Sequence, residues 1–165
     1  MFSIGEKVVY GAYGVMEIVD MRDVAFDDRI RKYYVLCESG GSSSSETLVP
    51  MDNEIIVSHM KPLLSKAEMT DAIRAAKAET DFPWPPDNRA RAEYFKTVIS
   101  SGDRVAILVM IRSIVEAGRL RAAEGKKNFL SDETAMKKAE KVLYSEIALV
   151  MEIPLSDVAE FIENV

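Results

Sequence analysis

One tryptophan stands among prolines near the middle of the chain, in residues 81–86, and basic residues follow it. Trp84 is the only tryptophan in the 165 residues, and Arg89, Arg91 and Lys96 come shortly after it. A rigid aromatic ring between prolines can be presented to a partner at little cost in conformational entropy. Ring stacking and phosphate contact are the chemistry that this set of side chains could perform. The alternative is that Trp84 plugs a junction between helices.

The charge distribution allows a local contact with phosphate but argues against binding by bulk charge. The net charge is −6, which disfavours a protein that grips nucleic acid through its whole surface. Residues 1–65 contain six basic and ten acidic residues, whereas residues 88–127 contain nine basic and four acidic ones. We refer to residues 88–127 as the basic stretch. The alternative is that the basic residues of this stretch simply lie on solvent-exposed faces of helices and bind nothing.

Residues typical of enzymes are scarce. His59 is the only histidine and Cys37 the only cysteine, and nothing near them resembles a nucleophile elbow. One His and one Cys give no metal-ligand spacing, and no glycine-rich phosphate loop is present. The sequence therefore predicts a binding protein without catalytic residues, metal or cofactor.

Length and cysteine usage indicate the class of protein. A chain of 165 residues forms one ordinary domain or two small ones. The sequence has no run of 18 apolar residues, so no transmembrane helix is expected. Its N-terminus lacks the basic start and the long apolar stretch of a signal peptide. A single cysteine cannot form an internal disulfide. These observations predict a cytoplasmic protein without membrane contact.

A change of pattern near residue 65 divides the chain. Before it, short β-type runs alternate with turn residues, at 27–28 and in the serine-rich loop 40–45. Five short strands in about 60 residues are typical of a small barrel. The predicted strands are residues 7–10, 15–24, 32–37, 47–50 and 55–57.

After the change, apolar residues recur at helical spacing. Ser65 with Glu68 forms the pattern of a capping box, and Asp87 or Asn88 suits the start of a second helix. Ser131 is predicted to cap a later helix. The five predicted helices cover about residues 66–79, 89–100, 104–125, 132–150 and 157–163. The expected fold is therefore α+β, with a small N-terminal Tudor/SH3-like β-barrel in residues 1–64 and an all-α C-terminal domain in residues 65–165.

Seven segments, in order, resemble the CarD/CdnL family of bacterial transcription regulators. The likeness extends over nearly the whole chain. The segments are FSIGEKVVY at 2–10 with Gly14-Val15, KYYVL at 32–36, LVP at 48–50, MKPLLS at 60–65, the segment around Trp84, SGD at 101–103 and YSEIAL at 144–149.

The resemblance implies a barrel that binds the β subunit of RNA polymerase and helices that meet promoter DNA at the upstream edge of the −10 element. In such a protein Trp84 would wedge into the minor groove and help to hold the partly opened promoter. Arg89, Arg91 and Lys96 would hold phosphates. The resemblance also implies a monomeric, nucleoid-associated protein.

The chain departs from the family pattern in three places, one of which is the serine-rich sequence at 42–45, where the family pattern implies a compact hairpin. Members often have a pair of arginines soon after the tryptophan, and here residues 85–88 intervene. Val24 and Leu48 stand where some members have arginines that contact polymerase. The expected interface is therefore strand pairing with apolar contacts, formed by Val24, Thr47, Leu48, Val49 and Pro50.

Two functions stay open at this point. The leading one is a non-enzymatic regulator that bridges polymerase and promoter DNA and stabilises the open complex, and the departures named above fit a divergent paralogue of this family. The second is a protein-interaction module that binds polymerase or another partner without touching DNA. The acidic composition and the missing arginine pair favour the second.

Overall fold

Five antiparallel strands form one sheet at the N-terminal end of the chain. The computed structural model describes residues 1–26, 29–40 and 45–165. The strand order is β4-β3-β2-β1-β5. The strands are β1 (Lys7–Tyr10), β2 (Gly14–Phe26), β3 (Arg29–Glu38), β4 (Thr47–Pro50) and β5 (Met60–Pro62). The five-stranded antiparallel sheet followed by helices confirms the predicted α+β class, and the closer identification of the sheet as a Tudor-like barrel stays a prediction.

The predicted strand at residues 55–57 is wrong. Glu54–Val57 forms a short helix, α1, because the Asn53 side chain caps it by accepting a hydrogen bond from the backbone N–H of Ile56 at 3.2 Å. This local cap outweighs the β-propensity of Ile55, Ile56 and Val57. The fifth strand instead begins at Met60 and pairs with β1. The predicted turn at 27–28 and residues 41–44 of the predicted loop lie outside the described residues.

Five further helices follow the sheet, as predicted. Ser65 and Glu68 form the expected capping box, and the pKa of the Glu68 carboxyl is lowered because the Ser65 backbone N–H and hydroxyl both hydrogen-bond to it. Asp87 caps the next helix through the backbone N–H of Ala90. The helices are α2 (Lys66–Ala78), α3 (Asn88–Ser101), α4 (Arg104–Ala123), α5 (Leu130–Met151) and α6 (Val158–Asn164).

Ser131 does not cap α5. The N-cap is Phe129, which makes no side-chain capping bond, and Ser131 lies inside the first turn. The Ser131 hydroxyl instead donates to Asp132 Oδ1 at 3.4 Å. Asp132, the next residue of α5, is buried.

Strand β1 contributes to two hydrophobic cores because successive side chains of a strand point to opposite faces. Val8 packs in a core within the sheet, together with Ile18, Leu36 and Val49. Val9, its neighbour, packs in the larger core of the helices. The sheet therefore packs directly against the helical part. At the junction between them, Leu63 and Leu64 pack against the core of the helices.

Candidate nucleic-acid interface

The segment that carries Trp84 connects α2 to α3 and is anchored at its start. The Glu79 carboxylate accepts hydrogen bonds from the backbone N–H groups of Asp81, at 2.9 Å, and Thr80, at 2.8 Å. These bonds favour the ionised carboxylate and lower the pKa of Glu79. Prolines at 83, 85 and 86 then restrict the backbone on both sides of the tryptophan.

Trp84 is half-buried and packs against the helical core. Its ring centroid lies 5.8 Å from that of Phe95, and the guanidinium carbon of Arg91 lies 4.6 Å from the centre of the indole ring. The remaining surface of the indole borders an open groove. The ring is thus fixed on α3 and still reachable by a partner.

Arg91 corrects the sequence prediction, because its side chain is not available to phosphate. It is 1% exposed and forms a two-bond ion pair with Asp132, with both N···O distances 3.0 Å. It also donates to the carbonyl of Pro85 at 3.0 Å and to Asn88 Oδ1 at 2.8 Å. Its donors are satisfied inside the protein, so its role is to hold the Trp84 segment and the start of α5 together.

Helix geometry places Arg89 and Lys96 away from Arg91 and from the indole that Arg91 covers. At about 100° per residue, these two residues share a face of α3 that lies roughly opposite Arg91. Both are exposed. Lys96 lines a second groove, between α3 and α5, that shares no residue with the groove beside Trp84. The structure therefore does not gather the four predicted DNA-contacting residues into one patch.

An aromatic groove of about 340 Å³ lies beside Trp84. Phe82, Leu120 and Phe129 line it with the indole, and Leu120 is 62% exposed. The guanidinium carbon of Arg121, which also lines the groove, lies 4.0 Å from the centre of the Phe129 ring. The groove therefore combines flat apolar rings with a cation, and Glu116 adds an acidic side chain to the same lining.

Sequence reasoning did not single out Phe82, Leu120, Phe129 or Arg121. The basic stretch was the available signal for Arg121, since it lies within residues 88–127. Phe82 lies two residues before Trp84, whereas Leu120 lies on α4 and Phe129 precedes α5, so the packing of the helices is what brings these last two residues to Trp84.

The predicted polymerase-binding residues lie on two strands of the sheet. Strand β4 pairs with β3 alone among the described residues, so its other side is a free edge. The alternation of an antiparallel ladder turns the backbone N–H and C=O of Leu48 towards this edge, and the Leu48 side chain is 42% exposed. Thr47 and Pro50 are half-buried, as is Val24 on the β2–β3 hairpin.

Val49 corrects the prediction for this strand. Its side chain is fully buried in the core of the sheet, because β4 places alternate residues on opposite faces. The Val49 side chain therefore cannot touch a binding partner. Val49 can affect binding only by holding its neighbours on β4 in position.

Neither a cluster of possible metal ligands nor a helix able to cross a membrane is found among the described residues. No three His, Cys, Asp or Glu side chains in this part of the chain converge on a possible metal position. His59 is exposed in the turn before β5. Within the same residues, no helix has both the length and the apolar character needed to span a membrane.

Comparison with known proteins does not place the chain in a family. No protein-family model matches it, and no curated protein is similar enough to count as a match. The resemblance to CarD/CdnL proteins therefore rests on the segments quoted above and on the order of the sheet and helices.

Proposed function

We propose that this protein is a non-enzymatic transcription regulator that docks on RNA polymerase through its sheet and contacts promoter DNA through the Trp84 groove. The observation that carries the proposal is the placement of Trp84, half-buried and fixed by Arg91, at the border of an aromatic groove with Arg121 at its side. Because the rings are held in place before binding, contact with an opened base step costs little conformational entropy.

The DNA contact in this proposal differs from the one expected from the sequence. Trp84, with Phe82 and Phe129, offers the apolar surface. Arg121 offers charge to a phosphate beside the groove, whereas Arg89 lies on the opposite face of α3 from Arg91 and the indole. Arg91 acts indirectly, since it positions the indole.

The free edge of β4 supports the docking part of the proposal. A strand of the polymerase β subunit can add to this edge by main-chain hydrogen bonds, with Leu48 as an apolar contact. Docking would tether the helices near the promoter. Because tethering raises the effective concentration to about millimolar for short connections, an acidic protein needs only a weak DNA contact. In this proposal the protein acts as a cytoplasmic, nucleoid-associated monomer.

Replacing Trp84 by alanine is expected to weaken stabilisation of the open promoter complex by about 1–3 kcal/mol, the range measured for loss of base–aromatic stacking. Polymerase binding should persist. The measurement is the lifetime of the open complex with saturating protein. Tyr13→Ala is the matched control, because Tyr13 is an aromatic side chain, 59% exposed, on the sheet side of the molecule. An unchanged lifetime with Trp84→Ala would remove the DNA contact from the proposal.

Replacing Leu48 by aspartate is expected to weaken binding to a polymerase β fragment at least about tenfold, since a charge would lie in an apolar strand contact. The measurement is a binding titration with the purified fragment. Leu155→Asp is the control, because Leu155 is 61% exposed and lies in the helical part. Equal loss in both variants, or loss in neither, would contradict docking through β4.

A second candidate is an interaction module that binds polymerase or another protein without DNA. The internal ion pair of Arg91 favours it, because that arginine is withdrawn from the surface. Salt dependence separates the two functions. Phosphate contacts make the affinity of the polymerase–protein complex for DNA fall with salt more steeply than that of polymerase alone, whereas a module without DNA contact leaves the slope unchanged.

A further inference from the structure

A groove of about 510 Å³ lies between α3 and α5. Its floor is made of small side chains, Ala92 from α3 and Ala135 from α5, with Ala12 from the 3₁₀ turn after β1. Leu130, 76% exposed, lies at its border. This volume and this apolar lining are in the range of sites for small molecules. We refer to it as the lysine groove.

Two lysines, one from each helix, are among the residues that line the lysine groove. Lys96 comes from α3 and Lys138 from α5, and both are exposed. Within the described residues, neither ammonium group forms an ion pair, whereas Lys141, on the next turn of α5, pairs with Glu38 at 3.0 Å. An anion seated in the groove is attracted by both positive charges.

We propose that the lysine groove binds a small amphiphilic anion. Its apolar body would lie on the alanine floor, and its carboxylate would lie between Lys96 and Lys138. The charge of the walls selects the sign of the ligand, and the volume favours a free small molecule over a folded partner. This proposal is independent of the DNA contact, which uses the aromatic groove.

The position of the groove gives ligand binding a structural consequence. Ala12 belongs to the sheet side of the molecule, while the other lining residues belong to the helical side. A ligand seated there contacts both sides and stabilises the packing between them. By linkage, a ligand that binds only the folded protein raises its melting temperature with concentration.

The test is a calorimetric titration of the full chain with sodium decanoate below its micelle concentration. One decanoate should bind per chain, and decyltrimethylammonium, with the same tail and opposite charge, should bind at least about tenfold more weakly, since a charged hydrogen bond contributes about 1.5–3 kcal/mol. The double variant Lys96→Gln/Lys138→Gln should lose about tenfold or more in affinity for decanoate. Lys137→Gln is the matched control, because Lys137 is exposed on α5 and does not line the groove.

A second pair of variants tests the floor of the groove. Ala135→Leu fills the cavity and should abolish decanoate binding while circular dichroism shows the helices intact, and Ala92→Leu does the same from the facing helix. Several results would overturn the proposal: no binding of decanoate, equal binding of the cationic amphiphile, or affinity unaltered in the lysine double variant. Binding only to anionic lipid vesicles, or only to an acidic peptide, would also overturn it, because the ligand would then be a surface or a protein segment.

Discussion

Replacing Arg104 by alanine is expected to lower the free energy of unfolding by about 3–5 kcal/mol, the range found when one partner of a buried ion pair is removed. Arg104 and Glu146 are 9% and 1% exposed. Two hydrogen bonds join them, Nε to Oε2 at 3.0 Å and Nη2 to Oε1 at 2.8 Å. Removing the guanidinium leaves the Glu146 carboxylate buried without its opposite charge.

The effect is large because this ion pair connects the sheet to the helices. Arg104, at the start of α4, also donates to the carbonyl of Pro62, at the end of β5, at 2.8 Å. The Glu146 carboxylate, on α5, accepts the backbone N–H of Leu64 at 3.2 Å. One charged cluster therefore fixes the chain where it passes from sheet to helix.

Urea denaturation at constant pH measures this loss. The double variant Arg104→Met/Glu146→Leu should recover most of the stability, because apolar side chains of similar volume need no opposite charge. Lys141→Met is the control for an exposed ion pair and should cost less than about 1 kcal/mol. If the Arg104→Ala protein is as stable as the original, the charged cluster does not stabilise the junction between the sheet and the helices.

Local signals made much of the fold predictable. The capping box at Ser65 and Glu68 and the cap at Asp87 act over three residues, so the sequence contains all that is needed to locate these helix starts. Strand β4 was predicted at its observed bounds. The error at residues 55–57 arose where two local signals compete, since a β-branched run follows an asparagine that can cap a helix.

The candidate site was less predictable because its contacts are distant in sequence. Arg91 and Asp132 are 41 residues apart, and no pattern indicates which carboxylate will neutralise a given arginine. Of the nine basic residues in the basic stretch, Arg91 and Arg104 are buried in ion pairs. The composition of that stretch therefore overstates the positive charge that the surface offers to phosphate.

Replacing Arg91 by methionine is expected to destabilise the protein by about 3–5 kcal/mol and to loosen Trp84. The loss of stability follows because Asp132 keeps its buried carboxylate without a partner. The indole is loosened because Arg91 both stacks on it and binds the carbonyl of Pro85, its neighbour. The second double variant, Arg91→Met/Asp132→Leu, should recover stability but not the position of the ring.

Fluorescence separates these two effects, because Trp84 is the only tryptophan. In the folded Arg91→Met protein its emission should move to longer wavelength as the ring gains contact with water. The emission of folded Arg104→Ala should stay in place, since that ion pair does not touch the indole. Unshifted emission in Arg91→Met would mean that Phe95 alone holds the ring.

The same variant tests whether Arg91 positions Trp84 for DNA. If the indole must be held in place to contact an opened base step, Arg91→Met shortens the open-complex lifetime, although the arginine itself touches no phosphate. Trp84→Ala added to Arg91→Met should then shorten it little further, because both changes remove one contact, and such pairs are not additive. Additive losses would instead give Arg91 a separate role in binding DNA and would contradict its assignment as a positioning residue.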